Sequence, residues 1–177
     1  MALSALPRLT RLRLNLKNLA SMDLERRREK SGGTVLIVDD DVDDAFSTLR
    51  TLEELLPQFC SRSVHSARDL FNYLEGKHGF SKRTEYPYPI LILLNLKMAG
   101  QDGFDALIWL HRHPPHRDIP VIALTELGEL QLASSACALG ARSFLTKPLR
   151  FDESEHLVQV FRRLLEFPAT RVAVDSR

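Results

Sequence analysis

Four apolar runs of this sequence end in polar residues. These residues are the acids Asp39, Asp40 and Asp41 after the first run, Asn95 after the second, Thr125 after the third and Lys147 after the fourth. In an open parallel sheet, the crevice that binds ligands lies outside the carboxyl ends of the strands. The sequence therefore predicts that these side chains share one pocket.

The three consecutive acids favour a metal-binding corner, because hard cations prefer oxygen ligands. The simpler alternative is that Asp39, Asp40 and Asp41 cap the helix that follows, since acids stabilise helix amino termini. Their mutual repulsion must be offset by a cation or by a lysine in the same pocket. Asp43 and Asp44 are predicted to be residues of the first helical turn.

From Thr34 onward the apolar residues alternate between the spacing of strands and that of helices. Strands are predicted at 34–38, 59–64, 90–95, 120–124 and 143–146, and helices at 42–56, 67–76, 103–112, 128–139 and 152–167. Strand–helix pairs in this order predict an α/β fold with a doubly wound parallel sheet. Right-handed crossovers then place two helices on one face of the sheet and three on the other.

The chain resembles the receiver domain of two-component response regulators in four motifs that occur in the same order. They are Val-Leu-Ile-Val-Asp-Asp-Asp at 35–41, Ile-Leu-Ile-Leu-Leu-Asn at 90–95, Ile-Pro-Val-Ile-Ala-Leu-Thr at 119–125 and Ser-Phe-Leu-Thr-Lys-Pro-Leu at 143–149. The resemblance covers about Thr34 to Phe167. It implies a flavodoxin-like, five-stranded sheet in the order 2-1-3-4-5.

The resemblance also implies roles for the polar residues. In the family, acids after the first strand hold Mg²⁺, an aspartate that ends the third strand accepts a phosphoryl group, and a hydroxyl and a lysine contact that group. Carried over, the metal ligands are Asp39 and Asp40, and the phosphoryl contacts are Thr125 and Lys147, with a cis peptide bond before Pro148.

The phosphoacceptor position is occupied by Asn95, which departs from the family pattern. A carboxylate oxygen can attack phosphorus, whereas the nitrogen lone pair of an amide is delocalised and its oxygen is a weak nucleophile. We therefore expect a degenerate receiver that is not phosphorylated at Asn95 and binds Mg²⁺ weakly or not at all. Lys147, with fewer anionic partners, is expected to pair with Asp40 or Asp39.

The leading hypothesis is that of a single-domain pseudo-receiver, not an enzyme, which acts by protein–protein binding. In an alternative, another carboxylate is phosphorylated and the domain is a phosphotransfer intermediate, although Asp102 lies several residues past the pocket. Deamidation of Asn95 would also create an acceptor, but burial and the following Leu96 should slow it. A third hypothesis, a small anion or nucleotide at the strand ends, has no Gly-rich phosphate loop to support it.

The family resemblance implies that the fourth helix, fifth strand and fifth helix form the output face. Phe144 is the candidate switch residue or, because it lacks a tyrosine hydroxyl, simply a core residue. Leu145, Leu149 and Phe151 are expected to supply apolar area at this face, most of which must cover the sheet. The expected partners are a histidine kinase or another signalling protein, or a second copy of the chain bound through this face.

Composition excludes several other classes of protein. The 177 residues suit one domain with a short tail, and 24 basic against 23 acidic residues create no field that attracts nucleic acid. No apolar run reaches the roughly 18 residues that a transmembrane helix needs, so we expect a cytoplasmic protein. Cys60 and Cys137 are too far apart in sequence to indicate a zinc site and are expected to be reduced core thiols.

The N-terminal residues 1–33 are predicted to be a basic amphipathic or disordered extension of the receiver-like domain at 34–167, which a disordered tail at 168–177 follows. Leucines recur at helical spacing in this extension, at positions 3, 6, 9, 12, 16 and 19. The segment is interpreted as a partner-binding or membrane-surface helix, as a transit-peptide-like leader, or as an upstream start that precedes the true one at Met22.

Two further segments carry weaker signals. Residues 76–89 lack periodicity and are predicted to form a long exposed loop, which either docks a partner or is merely irregular. His111, His113 and His116 flank two prolines without a cysteine partner, so a polar helix end is favoured over a zinc site.

Overall fold

The computed structural model describes residues 32–99, 103–149 and 154–166. Its strands are β1 (Thr34–Val38), β2 (Cys60–Val64), β3 (Pro89–Asn95), β4 (Val121–Thr125) and β5 (Ser143–Thr146). Its helices are α1 (Val42–Leu55), α2 (Ala67–Glu75), α3 (Gly103–Arg112), α4 (Leu130–Ala138) and α5 (Ser154–Glu166). The predictions for residues 1–31, Asp102, Phe151 and 168–177 lie outside the described residues.

The strands form one parallel sheet in the order β2-β1-β3-β4-β5, so the predicted flavodoxin-like fold is confirmed. The register aligns the carboxyl ends of the central strands. Val38 of β1 pairs with Leu94 of β3, and Asn95 pairs with Leu124 of β4. This register brings the polar residues that follow the strands to one edge of the sheet.

Two hydrophobic layers cover the two faces of the sheet. Leu36, Ile92 and Leu94 pack with residues of α2, α3 and α4, whereas Ile37 and Leu93 pack with residues of α1 and α5. The predicted division of three helices and two helices is therefore confirmed. A parallel sheet that is buried on both faces needs strands of nearly continuous apolar sequence, which explains the composition of β1 and β3.

The helix starts are set by polar side chains. Asp41 is the N-cap of α1, where its Oδ1 accepts hydrogen bonds from the backbone N–H groups of Asp43 at 2.9 Å and Asp44 at 3.1 Å. The capping interpretation is thus correct for Asp41. Ser66 caps α2 in the same manner, accepting from the Asp69 N–H at 3.0 Å.

The segment between α2 and β3 was expected to be an exposed loop, and this prediction is wrong in part. The Arg83 guanidinium donates to the carbonyl oxygens of Tyr73 and Leu74, each at 2.7 Å, at the carboxyl end of α2. Phe80 and Tyr86 pack against the Tyr73 ring. A cation that satisfies the last carbonyls of a helix stabilises that end, so the segment is anchored to the domain.

The two cysteines are unpaired with each other, as expected, but Cys137 does not lie in the core. Cys60 is half-buried and Cys137 is exposed. Ala133 and Ala136 are the α4 residues that face the sheet. Because successive residues of a helix are about 100° apart, Cys137 is turned away from Ala136 and lies at the border of this buried face, on the solvent side.

His116 ends an aromatic stack beside α3 and is buried, with 8% of its surface exposed. Its ring stacks on Trp109 with centroids 5.3 Å apart, and its Nδ1 lies 2.5 Å from the Tyr88 hydroxyl. His113 also stacks on Trp109, at 4.0 Å. His113 and His116 therefore form part of a packed cluster, which goes beyond the polar helix end that was expected.

Burial lowers the pKa of His116 below its usual value of 6.5, and the nearby charges of His113 and Arg83 act in the same direction against that of Glu75. The unfolded chain therefore takes up a proton near pH 6.5 that the folded chain resists. We expect the free energy of unfolding to fall as the pH drops below about 6.5, since the unfolded state then binds more protons. Chemical denaturation of wild type and His116→Gln at pH 7.5 and 5.5 measures this.

The wild type should lose more stability between these two pH values than His116→Gln does. His111→Gln serves as the control, because it removes an exposed histidine from the same region and should lose as much as the wild type. Equal losses in all three proteins would contradict the assignment to His116.

Candidate functional site

The predicted pocket residues converge at the carboxyl edge of the sheet. Asp39 follows β1, Asn95 ends β3, Thr125 ends β4 and Lys147 follows β5. All four are buried, with exposed fractions of 0% for Asp39, 5% for Asn95, 3% for Thr125 and 9% for Lys147. Buried polar side chains need partners within the protein, so the contacts of this group define what the site can do.

The Asn95 carboxamide lies between the acids that follow β1. Its Nδ2 donates to Asp39 Oδ1 at 2.8 Å, to the Lys97 carbonyl at 2.8 Å and, at the longer distance of 3.4 Å, to Asp40 Oδ1. Its Oδ1 accepts from the Lys97 N–H at 3.2 Å. The nitrogen faces acceptors and the oxygen faces a donor, so the network fixes the orientation of the amide.

The Lys147 ammonium lies on the other side of Asp39. Its Nζ is 3.2 Å from Asp39 Oδ2, 2.7 Å from Asp44 Oδ2 and 3.5 Å from Glu126 Oε1. The expected contact with Asp39 is therefore present. No Asp40 contact is among these pairs, and sequence reasoning missed the roles of Asp44 and Glu126.

The position of Asp44 could have been anticipated. It lies three residues after the N-cap Asp41, so both side chains lie on the same side of the first turn of α1, next to the pocket. Glu126 directly follows Thr125, which was already placed at the pocket. Both acids are half exposed, at 46% for the Asp44 side chain and 54% for that of Glu126. They screen the lysine from the solvent side of the pocket, while Asp39 contacts it from within.

Burial raises the pKa of the Asp39 carboxyl above its usual 3.8, and the charge of Lys147 offsets this only in part. Burial also opposes the charged form of Lys147. The hydrogen bond to Asp44 and the charge of Asp39 outweigh that effect, so the pKa of Lys147 lies above its usual 10.5. The lysine is thus a fixed positive charge against the buried carboxylate.

The loops over the pocket are tied together by further contacts. Asp40 Oδ2 accepts from the Ala99 N–H at 2.7 Å, which holds the loop after β3 against the loop after β1. The Lys97 ammonium pairs with the Glu129 carboxylate, which links the loops after β3 and β4. Glu129 Oε2 also accepts from the Glu126 N–H at 3.2 Å.

Asp39 and Asp40 are the residues that could hold a divalent cation, since carboxylate oxygens are the right kind of ligand. In this arrangement, however, the amide nitrogen of Asn95 points at both carboxylates, and Lys147 neutralises Asp39 from the other side. A cation at the same point would require Asn95 to turn its oxygen inward. The pocket as arranged therefore does not fit a divalent cation.

Other predicted site residues lie where expected, but not all are accessible. The Lys147–Pro148 peptide bond is cis, as the resemblance implied. Phe144 is half-buried against the layer of α2, α3 and α4. Leu145 and Leu149, in contrast, are buried in the layer of α1 and α5, so their apolar area covers the sheet. Side chains alternate along a strand, and Leu145 faces inward on the opposite side of the sheet from Phe144.

The family model for the response regulator receiver domain matches residues 35–160. The chain belongs to the receiver family. Receivers are signalling domains of two-component phosphorelays, and they bind histidine kinases or other signalling proteins. Within the described residues, the receiver contains no helix with the length and apolar character that a membrane span requires.

Two curated relatives illustrate how receivers occur in larger proteins. The cyclic di-GMP phosphodiesterase response regulator RpfG of Xanthomonas campestris is 29% identical over 119 residues, which are 67% of this chain and 29% of RpfG. The response regulator PilR of Pseudomonas aeruginosa is 30% identical over 143 residues, which are 80% of this chain and 29% of PilR. The matched region thus spans less than a third of either relative.

Solved structures show the same fold. Response regulator RPA3017, from red light signalling in R. palustris, superposes with a TM-score of 0.67 at 23% identity, covering 78% of this receiver and 96% of that chain. The Mn²⁺-bound form of the response regulator Rcp1 gives a TM-score of 0.59 at 22% identity, covering 77% of this receiver and 96% of that chain. At these identities the likeness concerns the fold alone.

Proposed function

We propose that this receiver takes no phosphoryl group at position 95 and acts by binding a signalling protein. One observation carries the proposal. The Asn95 amide nitrogen donates hydrogen bonds to Asp39 and to Asp40, the two acids that would otherwise hold a cation. The uncharged Asn95 amide, a hydrogen-bond donor, thus occupies the place of the carboxylate that accepts the phosphoryl group in the family.

Phosphoryl transfer needs an anionic nucleophile and a cation that neutralises the developing charge. The Asn95 amide supplies no nucleophile, and Mg²⁺ is attracted by two carboxylates instead of three. Lys147 already neutralises one of them. The loss of the nucleophile and the weaker attraction of the cation both slow phosphoryl transfer, so phosphorylation at this position is not expected.

Two alternative acceptors in the pocket, Asp39 and Asp40, are occupied as well. The Asp39 side chain is 0% exposed and contacts Lys147 and Asn95. Both oxygens of Asp40 accept hydrogen bonds, from Ala99 and from Asn95. Phosphorylation of either carboxylate would break these contacts, which disfavours the role of a phosphotransfer intermediate.

One apolar area that a partner could cover lies at the start of α4, and Val42 and Phe46 of α1 are also exposed. The exposed fraction is 86% for Leu127 and 63% for Leu130, while Leu145 and Leu149 are buried. Exposed leucines near one edge of a site favour protein binding, because their burial in an interface removes apolar surface from water. A histidine kinase or another signalling protein is the proposed partner, and a second copy of the chain is the alternative.

The proposal is tested by amide NMR spectra of the native receiver and of Asn95→Asp, before and after the addition of Mg²⁺ and acetyl phosphate. The native amides of Thr125, Phe144 and Lys147 should keep their chemical shifts. The same amides of Asn95→Asp should shift, because a restored acceptor allows the domain to change its balance of states. Shifts of these native amides on addition of the phosphodonor would contradict the proposal.

A further inference from the structure

A second pocket lies at the opposite edge of the sheet, at the amino ends of the strands. It is a cavity of about 560 Å³, and its apolar lining includes Phe59, Tyr88, Ile90, Ile119, Leu164 and Leu165. Asp118 and Arg142 are its charged members. None of the residues of the acidic site contributes to it, so it is a separate feature of the receiver.

The chain enters the domain along the wall of this pocket. The Gly32 N–H donates to the Gln58 carbonyl at 3.1 Å, and a Cβ at Gly32 would lie 2.6 Å from the Phe59 ring. Gly33 has a φ of +94°, and a Cβ there would lie 2.9 Å from Ile90. Two glycines therefore hold the backbone directly on two residues that line the pocket. Gly32 itself lies in the lining of the pocket.

The preceding segment has the composition that such a pocket binds. Leucines recur at helical spacing, at positions 3, 6, 9, 12, 16 and 19. An amphipathic helix that docks in an apolar groove presents its apolar residues at i, i+3, i+4 and i+7. Pockets of roughly 300–1,000 Å³ hold groups the size of a drug molecule, so this one has room for more than one side chain.

Length and charge agree with an occupant from the same chain. The 12 residues from 20 to 31 can span up to about 40 Å when extended, which reaches any part of the pocket from Gly32. Residues 1–30 contain 8 Lys and Arg and 3 Asp and Glu, a net charge of +5. The remaining residues contain 16 Lys and Arg and 20 Asp and Glu, a net charge of −4. The two parts of the chain therefore attract each other.

We propose that the leucine-bearing residues 3–19 bind in the amino-edge pocket of their own chain. Bound there, they cover apolar surface that is otherwise open to water. Phe167, which follows two residues after Leu165, is the competing occupant from the same chain. A single phenyl ring fills less of the pocket than several leucines do, which favours the N-terminal segment.

The test compares hydrogen exchange in three full-length proteins by NMR. They are the wild type, the triple variant Leu9→Gln/Leu12→Gln/Leu16→Gln, and the control Asn15→Gln/Asn18→Gln, which changes polar residues of the same segment. The reporters are the amides of Gly32 and Ile119, which donate to the Gln58 and His116 carbonyls at the pocket. We expect these amides to exchange about tenfold faster in the leucine variant than in the other two proteins.

Equal exchange in the leucine variant and the wild type would overturn the proposal. A fourth full-length protein, Phe167→Ser, tests the competing occupant. Protection that is lost in Phe167→Ser but not in the leucine variant would also overturn the proposal, in favour of the C-terminal segment. Protection that increases with protein concentration would show that a second copy of the chain binds in the pocket, and this too would overturn the proposal. The Leu96 amide, which donates to Leu124 at the other edge of the sheet, should exchange equally in all proteins and so shows that the fold is intact.

Discussion

Replacing Lys147 by methionine is expected to lower the free energy of unfolding at pH 7 by about 3–5 kcal/mol, the usual cost of removing one partner from a buried ion pair. The Lys147 side chain is 7% exposed and that of Asp39 is 0% exposed. Methionine keeps most of the volume but leaves the Asp39 carboxylate without its counter-charge. Urea denaturation of the two proteins measures the loss.

The loss should depend on pH in a defined direction. Without Lys147, burial raises the pKa of Asp39 further, so the folded variant takes up a proton at a higher pH than the unfolded chain does. The penalty is then fully present above the pKa of folded Asp39 and shrinks as the pH falls through it. Lys82→Met removes an exposed lysine that pairs with Glu85, and it should leave stability unchanged. A Lys147→Met protein as stable as Lys82→Met at pH 7 would contradict the assigned role.

Replacing Gly103 by alanine is expected to destabilise the receiver by about 3 kcal/mol or more, because the added methyl group has no space. A Cβ at this position would lie 2.3 Å from the Asn95 carbonyl oxygen and 2.7 Å from the Leu96 Cα. These are backbone atoms of the strand end that carries Asn95, so they cannot move aside without moving the site. Thermal unfolding of the variant measures the effect.

Gly128→Ala is the matched control, since it adds the same methyl group at a different kind of position. No atom lies within 4 Å of a Cβ there, but the φ of +92° disfavours a side chain. The expected cost is about 1–2 kcal/mol, from the backbone conformation alone. If Gly103→Ala were no more destabilising than Gly128→Ala, the close approach of α3 to the end of β3 would not be the constraint inferred here.

The fold and the composition of the acidic site could be predicted from the sequence because both follow from short-range patterns. Strands buried on both faces have continuous apolar runs, as in 35–38 and 90–94, and helices show a different period. Once the strands are parallel, the residues that follow them must meet at one edge. The sequence alone therefore predicts that Asp39, Asn95, Thr125 and Lys147 lie together.

Features that depend on side-chain direction could not be predicted in this way. Whether Lys147 contacts Asp39 or Asp40 depends on the directions of these two side chains after β1, which no sequence pattern specifies. Arg83 reaches the carboxyl end of α2 across a turn, so its segment looked exposed although it is anchored. The depth at which Leu149 is buried depends on the packing of α1 and α5, whose residues are distant in sequence.

We propose that Asn95 makes the receiver unable to accept a phosphoryl group. The most direct test is intact-mass analysis of the native chain and of Asn95→Asp after incubation with Mg²⁺ and acetyl phosphate, with peptide mapping to confirm that native Asn95 is not deamidated. We predict that the native chain gains no phosphoryl group and that Asn95→Asp gains one at residue 95. A phosphoryl group on any carboxylate of the native chain would contradict the account.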